Sequence, residues 1–169
     1  MDLRHASLES VVDRPISWNF ANQTATSSDL LGWSANNAKI SRAGEGLVAQ
    51  LRAADSWLES PPTWVNPFDM PLIELSMWVD RPGVFMCLAW VTEANPVWDK
   101  QCTPQVVKQS GKLLRVEVPE RGKASAVRVD LRDSIEWGGI ITAFRLVVVR
   151  THSSPTNLTL VALDAVATA

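Results

Sequence analysis

The sequence predicts an all-β protein, an antiparallel β-sandwich of the jelly-roll kind. Three observations predict it. Apolar and polar residues alternate with a period of two along most of the chain, turn-forming residues interrupt that alternation at short intervals, and the periodicity of an amphipathic helix is nearly absent.

In chain order, Ile16, Trp18 and Phe20 alternate with Ser17 and Asn19, so one side of a short strand is apolar. Leu47, Ala49, Leu51 and Ala53 alternate with Val48, Gln50 and Arg52, and Ile73, Leu75, Met77 and Val79 oppose Glu74, Ser76 and Trp78. Residues 84–91 are apolar on both faces, as in a central strand. Leu114, Val116 and Val118 oppose Leu113, Arg115 and Glu117, and Val127, Val129 and Leu131 oppose Arg128, Asp130 and Arg132. After a loop containing Trp137-Gly138-Gly139, residues 140–149 form a strand interrupted only by Thr142 and Arg145, apolar enough to be covered on both faces. The last strand spans about 158–166. Turns are expected at Gly44 and Gly46, Pro61-Pro62, Arg81-Pro82-Gly83, Pro96, Pro104, Gly111, Pro119, Gly122 and Pro155. Residues 1–15 are expected to form an arm or short helix, and 16–169 one domain; 169 residues suffice for one full core and are few for two.

Hydrophobic residues make up 46% of the chain and charged residues 20%, the composition of an ordinary folded domain. A net charge of −2 supplies no global attraction to nucleic acid or to an anionic membrane, and neither is expected as a partner. A basic excess around Lys108, Lys112, Arg115, Arg121 and Lys123 is interleaved with Glu117, Glu120 and Asp130, the pattern of a solvated strand face. The first twenty residues hold no apolar run of signal-peptide type, so synthesis in the cytoplasm is expected, with any exit by another route and a virion surface as one destination. Cys87 lies in an apolar strand and Cys102 in a loop. A disulfide between them and two free thiols are both compatible with that spacing.

Catalytic patterns are missing. His5 and His152 lack metal-ligand spacing, and there is no nucleophile elbow, phosphate loop, dinucleotide fingerprint or paired CxxC motif. A carboxylate pair such as Glu93 with Asp99 has the chemistry for glycoside hydrolysis, but two loop acids are far more often solvated charges. Asp55, Asp69 and Asp164 offer oxygen ligands for a structural calcium ion without a ligand-dense loop; no cofactor is expected otherwise. The chain is expected not to be an enzyme.

Eight Trp and no Tyr set the aromatic inventory. Trp18, Trp33, Trp90 and Trp137 suit core and corner positions, where each indole N–H needs a partner. Trp78 shares the polar face of its strand, and Trp57, Trp64 and Trp98 lie in or beside loops. Those four are candidate stacking platforms or interface anchors, with Asn66, Asn95 and Gln101 as amide donors and acceptors nearby in sequence.

Residues 71–149 carry a resemblance to galactose-binding-like β-sandwich domains, the jelly roll of many carbohydrate-binding modules. It rests on LIELSMWV followed by VFMCLAW, and on SAVRVDLRDSIEWGGIITAFRLVVV, similar to a strand ending in Asp-Leu, a Trp-x-Gly-x-Ile stretch and an Arg-containing strand. LLGW and GLVAQL resemble the early strands. The resemblance implies structural roles for Trp90, Asp130, Leu131, Trp137, Gly139, Ile140 and Arg145, and a non-catalytic binding fold whose ligand contacts vary. Two functions are therefore expected. The favoured one is a structural or interaction subunit on the surface of a larger assembly, of virion cement or decoration type, contacting protein subunits or further copies of itself. The alternative is a free lectin-like module that stacks sugars on its exposed Trp residues.

Overall fold

Alternation carries the described residues (14–21, 30–44, 46–99, 102, 111–120, 126–134 and 136–167 of the computed structural model) into eleven strands. They are β1 (Ser17–Asn19), β2 (Ser34–Asn36), β3 (Ala38–Ala43), β4 (Gly46–Leu51), β5 (Asp55–Glu59), β6 (Leu72–Val79), β7 (Val84–Thr92), β8 (Leu113–Val116), β9 (Ala126–Asp130), β10 (Ile141–Arg150) and β11 (Thr156–Val166). The arm or helix expected before residue 14 lies outside the described residues.

Two antiparallel sheets result. The first has the order β3-β4-β11-β6-β9, with β1 pairing the second half of β11 on the side where β4 pairs the first half. The second has the order β2-β5-β10-β7-β8. From β4 onward the chain moves between sheets at almost every connection, the jelly-roll path expected from the sequence.

The inward faces follow the alternation. Ile73, Leu75, Met77 and Val79 of β6 meet Met86, Leu88 and Trp90 of β7, and all seven are essentially inaccessible. In β10 and β11 the alternation changes phase partway. A register irregularity between Ile141 and Ala143 lets Ile141 and then Phe144, Leu146 and Val148 all point inward. One between Leu160 and Ala162 does the same for Leu158, Leu160, Leu163 and Ala165. Trp33 closes the core between Trp18 and Phe20, with edge-to-face ring centroids 5.4 and 6.0 Å away.

Three sequence expectations need correction. β10 is buried on its inner face only; its outward residues, Arg145 and Val147 among them, are half-exposed because a loop covers that side incompletely. Trp137 is also half-exposed, stacked on the exposed Phe68 with ring centroids 4.7 Å apart. The buried indole N–H groups of Trp18, Trp33 and Trp90 have no hydrogen-bond partner among the described residues, where one was expected for each.

Asp130 ends β9 and caps the short 3-10 turn Leu131–Asp133, its carboxylate accepting from Arg132 N at 3.0 Å and from the guanidinium at 2.8 and 2.9 Å. The Arg132 side-chain bonds hold this carboxyl below its ordinary value of 3.8. A carboxyl so depressed contributes stability that is complete above the ordinary value and is lost as pH falls through the folded one. Asp130→Ala is expected to cost about 1 kcal/mol at neutral pH. The difference from wild type should shrink in urea titrations as the pH is taken progressively below 3.8.

Candidate functional site

Strand pairing decides which outward side chains meet on the second sheet. Arg145 of β10 lies opposite Glu59 of β5 and Ala89 of β7, and Val147 lies opposite Trp57 and Cys87. Trp57 in turn faces Asn36 of the edge strand β2, and Ala89 faces Leu113 of β8. Residues two apart share a face, so Asp55, Trp57 and Glu59 form one column beside the column of Arg145 and Val147.

A loop folds over this face and supplies the opposite wall. Cys87, buried in the middle of β7, forms a disulfide with Cys102, with Cα atoms 5.8 Å apart. Cys87, Ala89, Leu113, Trp98, Cys102 and Val147 make a small apolar cluster outside the main core. This is why β7 is buried on both sides. The loop is fixed a second time by Lys112: its Nζ donates to the carbonyls of Val97 at 2.6 Å and Asn95 at 3.2 Å, and its backbone N–H donates to Asp99 Oδ2 at 2.5 Å.

Between loop and sheet lies a cavity of about 300 Å³, lined by Asp55, Trp57, Asp99, Cys102, Leu113, Arg145 and Val147. The Arg145 guanidinium sits between two indoles, 4.4 Å from the Trp57 ring centroid and 4.1 Å from that of Trp98. Its Nε donates to Glu59 Oε1 at 2.6 Å in a half-exposed ion pair, and its Nη groups make no hydrogen bond among the described residues. The pocket thus offers indole surface, two carboxylates and a guanidinium with donors to spare. That set suits a ligand with an apolar face and a hydroxyl-rich edge.

The candidates expected from sequence divide. Trp57 and Trp98 come together here, and Trp57 lies in β5 rather than in a loop. Trp78 projects from the outer face of the first sheet, on the other side of the sandwich, where it pairs with Thr159. Trp64 lies beyond β5 with the Arg14 guanidinium 5.7 Å from its ring. Trp64, Trp78 and Trp98 therefore share no groove. Asn66 is used within its own turn, accepting from Phe68 N and donating to Asp69 at 3.3 Å. Asn95 is exposed on the covering loop and serves it through its backbone. Gln101 lies outside the described residues.

The three aspartates considered for calcium are not brought together: Asp55 is on β5, Asp164 is on β11 bonded to Ser17, and Asp69 is in the Asn66 turn. Among the described residues no cluster of three or more acids, His or Cys forms a metal site. Glu93 is exposed and hydrogen-bonds through its backbone to Ile140, while Asp99 is engaged with Lys112. Arg145, for which the resemblance implied a structural role, is a wall of the pocket. Its sequence signal was one charged residue in an otherwise apolar strand. Glu59 gave no comparable signal, and Lys112, expected on a solvated strand face, is instead buried beneath the loop, where backbone carbonyls satisfy its amine.

No protein-family model matches the sequence, and no curated protein matches it. Similar solved structures include CsCBM6-3 from Clostridium stercorarium in complex with cellobiose, at 9% identity over 90% of this chain and 93% of that one, with a TM-score of 0.47. An agarase, AgWH50C, matches at 11% identity over 89% of this chain and 25% of that one, with a TM-score of 0.49. A structure of carbohydrate-binding modules from the beta-sandwich superfamily matches at 12% identity over 81% and 58% of the two chains, with a TM-score of 0.36.

Proposed function

We propose that the protein is a non-catalytic glycan-binding module whose site is the pocket between the outer face of the second sheet and the disulfide-tethered loop. The observation that carries this reading is the convergence of Trp57 and Trp98 on Arg145 beside Asp55 and Asp99. A pyranose ring has an apolar C–H face suited to indole and a rim of hydroxyls. Those hydroxyls suit carboxylate acceptors and guanidinium donors. In this reading Asp55 and Asp99 accept from sugar hydroxyls and Arg145 donates to them, and the pocket's role is recognition.

Titrating tryptophan fluorescence with cello-, xylo-, chito-, agaro- and galacto-oligosaccharides tests the proposal. Saturable quenching by at least one of them is expected, and a flat response across all five would remove it. The disulfide beside the pocket suits a protein that acts outside a reducing cytosol, and it supports an extracellular or surface glycan as the ligand. The subunit role of virion decoration type, favoured from sequence, draws less from this geometry. Trp57 and Trp98 are on one side of the sandwich and Trp78 is on the other, so the candidates compose no single aromatic contact face.

A further inference from the structure

We propose that Lys112 is the positioning residue of this pocket, whose side chain holds the loop on which Trp98 meets a ligand and whose backbone N–H holds Asp99 beside it; the proposal rests on the glycan reading above. Lysine is seldom fully buried without a charged partner. Lys112 is 2% exposed and makes no ion pair among the described residues. Among the described residues its side-chain bonds go instead to one short piece of the covering loop, the carbonyls of Asn95 and Val97, and its own N–H holds the Asp99 carboxylate. These three attachments bracket Trp98. The next residue, Leu113, is itself a pocket wall, and Lys112 O accepts from Trp90 N at 3.2 Å, so the anchor is built into the second sheet.

A leucine or methionine there would fill the space at lower desolvation cost, since burying an amine is expensive unless its bonds are well made. What the amine adds is attachment. The loop has no strand pairing of its own between β7 and Asp99, and an isolated loop samples many conformations. Lys112 ties its first half and the Cys87–Cys102 disulfide ties the point beyond it, leaving Trp98 between two fixed ends, against Arg145.

The test uses the full chain labelled with 5-fluorotryptophan, with each fluorine resonance assigned by a single Trp→Phe variant. In Lys112→Met the Trp98 resonance is expected to shift or broaden, while those of Trp18 and Trp33 stay in place. An unmoved Trp98 overturns the proposal, and so do core resonances that move together with it. If Lys112→Met fails to fold, Lys112→Gln, which keeps a donor but loses reach, is judged by the same two outcomes. In the binding arm, Lys112→Met is expected to weaken the oligosaccharide that quenches wild type by roughly tenfold, with no further loss when Trp98→Ala is already present. Losses that simply add would indicate a merely structural role and overturn it. If no oligosaccharide binds wild type, the glycan reading fails, whereas the fluorine spectra still decide what Lys112 does.

Discussion

Trp57→Ala is expected to weaken oligosaccharide binding by roughly 30-fold, corresponding to about 2 kcal/mol, the scale of an aromatic hot spot at the centre of a contact. The indole is half-exposed on β5, in contact with the Arg145 guanidinium and lining the cavity. Its removal therefore takes away stacking surface and leaves the Arg145–Glu59 ion pair less well held. The main core is untouched, because the inward residues of β5 are Ser56 and Leu58. Stability should fall by no more than about 1 kcal/mol. Isothermal titration calorimetry against the best-bound oligosaccharide, with thermal melting in parallel, checks both numbers. Unchanged affinity in a folded Trp57→Ala protein would move the binding site elsewhere. Trp78→Ala is the natural control, since that indole lies on the opposite sheet and should leave affinity unchanged.

Breaking the Cys87–Cys102 bond carries the second large effect. The two cysteines are 15 residues apart, and closing a loop of that size lowers the free energy of folding by about 3 kcal/mol in the chain-entropy account. For a domain of this size that corresponds to a fall in melting temperature of roughly 10 °C. Reduction adds two electrons and two protons and leaves two thiols. Cys87 remains inside the apolar cluster, while Cys102 is released with the end of the loop that lines the pocket. Melting with and without dithiothreitol, and of Cys102→Ser, should give the same decrease. Affinity should fall in the same samples, because one of the two tethers flanking Trp98 is gone. Equal melting temperatures for the oxidised and reduced protein would contradict the account.

Much of the fold is legible in the sequence because burial on one face enforces a period of two. β6, β7, β10 and β11 announce themselves through long apolar alternation, and their centrality follows from the same pattern. β2, β3 and β5 do not. β3 has a single large apolar residue, Ile40, and β5 is five residues long with Ser56 at an inward position, so neighbouring strands define these elements more than their own residues do. The pocket was half legible for a related reason. The sequence marks Trp57 and Trp98 as unusual but marks Trp64 and Trp78 equally, because alternation separates two faces without saying which sheet a strand joins. Which indoles meet depends on β5 pairing with β10 and on a loop drawn over β7, and both are long-range relations. The role of Arg145 needed the same information. Within its strand it is an interruption, and across three strands it is the residue between two rings.

The placing of β11 bears on how the molecule comes into being. It is the last strand among the described residues, yet it runs through the middle of the first sheet, with β4 and β1 on one flank and β6 on the other. While it is still inside the ribosome, that sheet exists as two separate ribbons, β3-β4 and β6-β9, and a lone β1, each offering raw hydrogen-bonding edges to any passing polypeptide. Completion must then wait for β11 to emerge, and it proceeds at the unhurried pace of distant strand pairing. A nascent chain stalled before residue 156 is thus the form of this protein most in need of a chaperone.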